Sequence, residues 1–278
     1  MPMDLMNATG QPLIRVARDM DGLARVMAER LVDALQFRLK DEWVSVAHVV
    51  LPGGALTETL LETLADGHAK RRVEWDRVHV WWSDERYLGE GHIGRHETHA
   101  RAAGLLRIGI HEDHIHPYPC PEFEDESRPD LGAEEYAKLL RKFAPVVRRV
   151  PLFDIVMLDV GRVGEVAALY PGHELLSATT PVVPVWDALQ APPLRMTMTI
   201  PALSSATRVW LLASGTERAV AVGRSLQDAD PQVTPAAGVK GVLETIWWLD
   251  EKAARAVPKH LRWGGEASTE DTATQAGS

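Results

Sequence analysis

Short apolar runs that end in glycine or in charge recur along the chain, each followed by a segment with helical spacing, and no other feature constrains the fold so tightly. The central example is residues 152–173. There the apolar run 153–158 is broken by Gly161 and Gly164 and followed by a second apolar run that ends at Pro171 and Gly172. It reads as strand, turn, helix. Residues 44–51 form a β-branched run closed by Pro52, Gly53 and Gly54, after which Leu60, Leu61 and Leu64 share one helical face. Residues 77–82 read as a buried strand that stops at the polar Ser83, Asp84, Glu85 and Arg86.

The same rhythm extends to both ends. Residues 12–17 read as a strand, and Asp19 caps a helix on which Leu23, Val26, Met27, Leu31 and Leu35 recur at helical spacing. Further helices are expected at 97–106, 133–143, 216–226 and 250–256, and further extended segments at 180–185, 196–200, 208–213 and 245–249. Strands alternating with helices at this spacing predict a doubly wound α/β fold with a mostly parallel sheet covered on both faces. No repeat or linker divides the chain, so residues 1–263 are read as one domain; the small, polar, acidic segment 264–278 is read as a disordered tail.

Charge and cysteine usage narrow the function classes. A formal net charge of -9 argues against a nucleic-acid partner, because a phosphate backbone is repelled wherever that charge is not locally offset. A local basic pocket for a small phosphate is compatible with it. One cysteine, Cys120, cannot form an intramolecular disulfide and points to a reducing cytoplasm. No run of 18 apolar residues occurs, which argues against membrane insertion. His92, His96 and His99 lack an evident fourth ligand and read as solvated helix histidines, so no metal is expected.

In open α/β sheets ligands collect outside the carboxyl ends of the strands. Gly53 and Gly54 lie there and either let backbone N–H groups approach a phosphate or simply make a tight turn. Asp84, Glu85 and Arg86 end a buried strand, where charge is paired, used, or part of a surface ion-pair cluster. Glu165, in the loop after 153–158, is the carboxylate best placed to meet a substrate. Arg195 is either a further cation of such a site or a strand-edge surface residue.

These motifs resemble the 6-phosphogluconolactonase family. Residues 161–173 follow its loop G-x-D-G-H-x-A-S-L-F-P-G-H in register, residues 82–87 its W-W/G-D-E-R motif, and residues 192–203 its P-P-x-R-I-T-L-T-L-P-A-L; Pro235 to Gly238 and Thr245 to Asp250 match its C-terminal motifs. The resemblance covers residues 12–257. It implies a Rossmann-like doubly wound sheet with a small accessory sheet, and hydrolysis of 6-phosphoglucono-1,5-lactone in the pentose phosphate pathway without a cofactor. Gly53, Gly54, Asp84, Glu85, Arg86, His96 and Arg195 would then bind the substrate.

The chain departs from the family where chemistry is expected. Val163 stands in place of Asp and Glu165 in place of the His that activates water. Ala55 and Leu56 replace two hydroxyl residues of T-G-G-S-T-P, His96 replaces Asn, and Gln190 stands where a lysine is usual. Glu165 would serve as the base, about two pKa units weaker than His unless burial among Val163, Val166 and Ala167 raises it. The alternative is a catalytically impaired relative that binds phosphosugars or regulates the lactone-producing glucose-6-phosphate dehydrogenase.

Overall fold

The computed structural model describes residues 12–123, 127–227, 229–258 and 261. The expected tail at 264–278 lies outside them.

Seven parallel strands make the main sheet, β1 (Leu13–Ala17), β2 (Ala47–Leu51), β3 (Val78–Trp82), β5 (Ile115–His116), β6 (Ile155–Asp159), β9 (Arg208–Ala213) and β10 (Glu244–Asp250), in the order β1-β10-β9-β6-β2-β3-β5. Every neighbouring pair is parallel. All five residues of β2 and of β3 are buried, as expected where both faces of a parallel sheet are covered and strands read as continuous apolar runs. A second sheet is antiparallel, in the order β4-β8-β7, from β4 (Asp84–Arg86), β7 (Val182–Val185) and β8 (Arg195–Met198). The doubly wound sheet and its small companion are both present.

The helices are α1 (Met20–Leu39), α2 (Ala55–Asp66), α3 (His96–Ala102), α4 (Pro129–Lys142), α5 (Ile200–Leu203) and α6 (Ala219–Ser225). Asp19 caps α1 by accepting the Gly22 N–H at 2.8 Å. Helix α4 starts earlier than its apolar spacing suggests, because Pro129 suits a first helical position where no N–H is needed. Residues 250–256 yield only a 3-10 turn, Ala253–Ala256, since β10 runs on to Asp250.

One expectation fails in an instructive place. The run after Gly164 is not a helix: Val166 bridges Val160 and Leu169 in antiparallel fashion, and Gly164, Ala167 and Gly172 all have positive φ. Left-handed residues at that spacing cannot belong to a right-handed helix. Glu165 therefore sits in a tight hairpin-like loop rather than before a helix N-terminus.

β2 and β3 also carry a cluster of histidines near their starts. His48 and His79 are register neighbours, His79 Nδ1 lies 2.8 Å from His116 Nε2, and Trp81 Nε1 donates to His48 Nδ1 at 3.1 Å. His114 stacks on His79, and Phe143 packs edge-on against His48.

Candidate active site

β2 and β6 are neighbours, yet the chain leaves β2 towards β3 and leaves β6 towards β9. Their carboxyl ends thus open a crevice at a topological switch point, where α/β sheets bind ligands. A cavity of about 470 Å³ lies there, within the range that holds small molecules. It is lined by the loop after β2 (Pro52, Gly53, Gly54), by Asp84, Arg86 and Arg195 of the small sheet, and by His96 of α3. The end of β6 and its loop supply Asp159, Gly161, Arg162, Glu165, Ala167 and Tyr170, and Gln190 and Arg218 complete the wall.

The small sheet builds the cationic wall. Antiparallel pairing sets Arg86 directly opposite Arg195, an arrangement of like charges that costs stability unless an anion offsets it. Among the described residues no carboxylate lies within ion-pair distance of either guanidinium. Arg195 is buried and tethered by the carbonyls of Pro192 and Gln190, at 3.3 and 3.0 Å, which accept from its Nε and Nη2. Burial and then the neighbouring Arg195 lower the Arg86 pKa from its ordinary value.

His96, which replaces an expected Asn, organises the near wall. Its ring lies over Gly53 so closely that a Cβ there would fall 1.6 Å from His96 Nδ1. Only glycine leaves room for it. Arg86 Nη1 lies 2.7 Å from His96 Nδ1, and Asp84 Oδ2 is 3.5 Å from His96 Nε2. Burial pushes the Asp84 pKa up, but His96, Arg195 and Arg86 together outweigh it and hold the carboxyl below its usual value. Gly54 (φ 102°) turns the chain into α2, whose first amides have no side-chain cap. The Thr57 and Glu58 amides turn back to the Gly54 carbonyl, at 3.0 and 3.2 Å, which leaves only the amides before them to meet an acceptor in place of the missing hydroxyls.

The far wall carries two carboxylates. Glu165 is 8% exposed, and its Oε2 accepts the Val163 N–H at 2.9 Å. Its carboxylate covers Gly161, where a Cβ would come within 1.9 Å of Glu165 Cδ. The second is Asp159, the last residue of β6, whose Oδ2 accepts from Arg218 Nη2 at 3.3 Å. Burial raises the Asp159 pKa to about 6, against the opposing pull of Arg218. Arg218 is itself fixed by the carbonyls of Val160 and Ser214, each at 3.0 Å.

Of the residues singled out from sequence, Gly53, Gly54, Asp84, Arg86, His96, Glu165 and Arg195 line this cavity. Glu85 does not. Its carboxylate accepts the N–H groups of Arg86, His96 and Glu97, at 2.8, 2.8 and 2.9 Å, and so caps α3 instead of facing a ligand. Leu56 is buried in the first turn of α2 and Val163 is 48% exposed, and neither lines the cavity. Asp159, Tyr170 and Arg218 were missed. Asp159 is an acid closing an apolar strand run, and Arg218 lies three residues past the glycine that follows β9, so the strand-end rule that found Glu165 applies to both.

The sequence pattern describing glucosamine-6-phosphate isomerases/6-phosphogluconolactonase matches residues 18–248. A 6-phosphogluconolactonase of Streptomyces coelicolor is 34% identical over 255 residues, covering 90% of this chain and 96% of that protein. Its counterpart in Mycobacterium tuberculosis is 34% identical, covering 88% and 98%. The solved 6-phosphogluconolactonase of Trypanosoma brucei superposes with a TM-score of 0.77 at 23% identity, covering 89% and 99%. A monomeric glucosamine-6-phosphate deaminase reaches 0.70 at 18% identity, covering 88% and 99%, so the fold is shared across both activities.

Proposed function

The chain belongs to the family of glucosamine-6-phosphate isomerases and 6-phosphogluconolactonases, and from that premise we propose that it is a lactone hydrolase that opens 6-phosphoglucono-1,5-lactone to 6-phosphogluconate. The observation that carries the reading is the opposed pair Arg86 and Arg195 at the mouth of a switch-point cavity. A sugar phosphate offers such a pair a dianion at hydrogen-bond distance, which Asp84, felt by both guanidiniums but ion-paired with neither, does not, and each charge-assisted hydrogen bond contributes about 1.5–3 kcal/mol. The Gly53 and Gly54 backbone and the uncapped start of α2 supply further donors, and His96 braces Arg86 against the phosphate.

With the phosphate held there, the lactone ring extends towards the carboxylates of the far wall. Glu165 is the residue proposed to hold the attacking water, through the carboxylate oxygen not given to Val163. No metal or cofactor enters this scheme. The partner enzyme it implies is glucose-6-phosphate dehydrogenase, which releases the lactone, and the lone Cys120 fits a reducing cytoplasm.

Lactone opening, followed as acid release and corrected for spontaneous hydrolysis, is the test. Turnover well above the buffer rate, together with micromolar to millimolar binding of 6-phosphogluconate, is expected. A protein that binds 6-phosphogluconate but opens the lactone no faster than buffer would instead support the phosphosugar-binding alternative.

A further inference from the structure

Two carboxylates face the cavity from the end of β6, and their surroundings differ. Glu165 is pinned: its main chain accepts the Gly161 N–H at 2.9 Å, its neighbour Val166 is bridged to Val160, and one carboxylate oxygen accepts the Val163 amide. Asp159 stands at the end of the sheet's middle strand, with 30% of its side chain open. Among the described residues the one hydrogen bond to its carboxylate comes from Arg218 and is accepted by Oδ2, so Oδ1 has no protein donor. Gly54 lies beside it, a Cβ there falling 3.8 Å from Oδ2, which places Asp159 against the loop proposed to hold the phosphorylated sugar.

We propose that Asp159 is a further catalytic residue of this site: it takes the proton from the water held by Glu165 and returns it to the ring oxygen. The inference rests on the lactonase reading above and reassigns the base from the loop to the strand. The water oxygen bonds to the lactone carbonyl carbon, and its proton passes to Asp159 Oδ1. The C1–O5 bond then breaks, O5 leaves with the bond's electron pair, and the Asp159 carboxylic acid protonates it. The new carboxylic acid at C1 loses its proton to solvent. Nothing is oxidised or reduced, and Asp159 returns to its starting state.

The charged groups that face Asp159 fit this task. Arg218, from the turn after β9, holds one oxygen and fixes the orientation of the other. Glu165, from the loop after β6, raises proton affinity by repulsion, and His96, from α3, opposes it. Burial is the largest influence, and with the pKa near 6 Asp159 is mostly ionised at neutrality yet basic enough to accept a proton.

The test compares the pH dependence of kcat, corrected for spontaneous opening, in the parent, Asp159→Asn and Glu165→Gln. The substrate phosphate also titrates near pH 6 and shapes kcat/KM, so kcat, which reports the bound complex, is the deciding quantity. The parent should lose kcat below about pH 6; Asp159→Asn should lose about 100-fold in kcat with little change in KM and lack that limb. Glu165→Gln should turn over more slowly but retain the limb. If Asp159→Asn fails to fold, Asp159→Glu serves, and the limb should move rather than stay in place. A turning-over parent whose limb persists unmoved in the Asp159 variants overturns this assignment alone. A parent no faster than buffer at every pH overturns the lactonase reading and this one with it.

Discussion

β2 and β3 carry buried ionisable groups at both ends, and the two ends treat them in opposite ways. Near their starts His48 and His79 meet His114 and His116 among Trp81 and Phe143. At their carboxyl ends, roughly 13 Å further on, stands the mixed cluster of Asp84, Arg86, His96, Arg195, Asp159 and Arg218. Burial, reinforced by neighbouring histidines, lowers the pKa to about 3 for His48 and His116 and about 4 for His79. A cluster of one residue type resolves its burial by losing charge. A cluster of both signs keeps it, and only the second can hold an anion.

Acidification probes the histidine end and carries the largest expected effect. The unfolded chain protonates these three histidines at about 6.5 and the folded one only near 3 to 4, so the unfolded state binds more protons in between and stability falls as pH drops from 6.5 towards 4. Each group contributes at most about 1.4 kcal/mol per pH unit. Asp159, raised to about 6, acts in the opposite direction in that window, and the raised Asp154 does likewise. Asp84 enters only below its usual carboxylate value. Denaturant unfolding between pH 7 and 4 should lose several kcal/mol, and His79→Phe should flatten the slope; a slope untouched by that change breaks the comparison.

At the other end, Arg86→Ala should weaken 6-phosphogluconate binding by about 100-fold, the loss of one or two charge-assisted hydrogen bonds, while the melting temperature stays level or rises. Calorimetric titration and a thermal melt read both. Gly53→Ala tests how tightly the glycine backs His96. The added carbon has no room beside the ring, and displacement of His96 from Arg86 should cost roughly ten- to thirty-fold in kcat/KM with the fold intact. A fully active Gly53→Ala would show that His96 is not needed where it stands.

Glu85→Gln should give the smallest change, a loss of about 1 kcal/mol seen as a melting temperature lower by about 3 °C, with kcat/KM within about twofold of the parent. That outcome separates the carboxylate that builds α3 from those that face the ligand. A loss of activity larger than the loss of stability would return Glu85 to the site.

The scaffold was legible because buried parallel strands leave unbroken apolar runs; β2, β3 and β9 stood out for that reason, and Asp19 announced α1. The loop at 160–173 misled because its apolar residues occur at spacings that suit a helix as well as a pair of bridges; backbone sign at Gly164, Ala167 and Gly172 decided between them. Glu85 and Arg86 are adjacent in sequence, but on a strand adjacent side chains point to opposite faces, so they could not share one task. Asp159 escaped notice because the resemblance drew attention to position 165. The histidine cluster comes from three strands that meet only in the fold, and spacing along the chain cannot reveal it.

The register of β4 on β8 has a consequence for the protein when no sugar phosphate is at hand. Two facing guanidiniums on β4 and β8 give a doubly charged small molecule a place to relieve their repulsion, and its binding should raise heat resistance in proportion to the logarithm of its concentration above the dissociation constant. Supply of fuel and persistence of the protein would then rise and fall together.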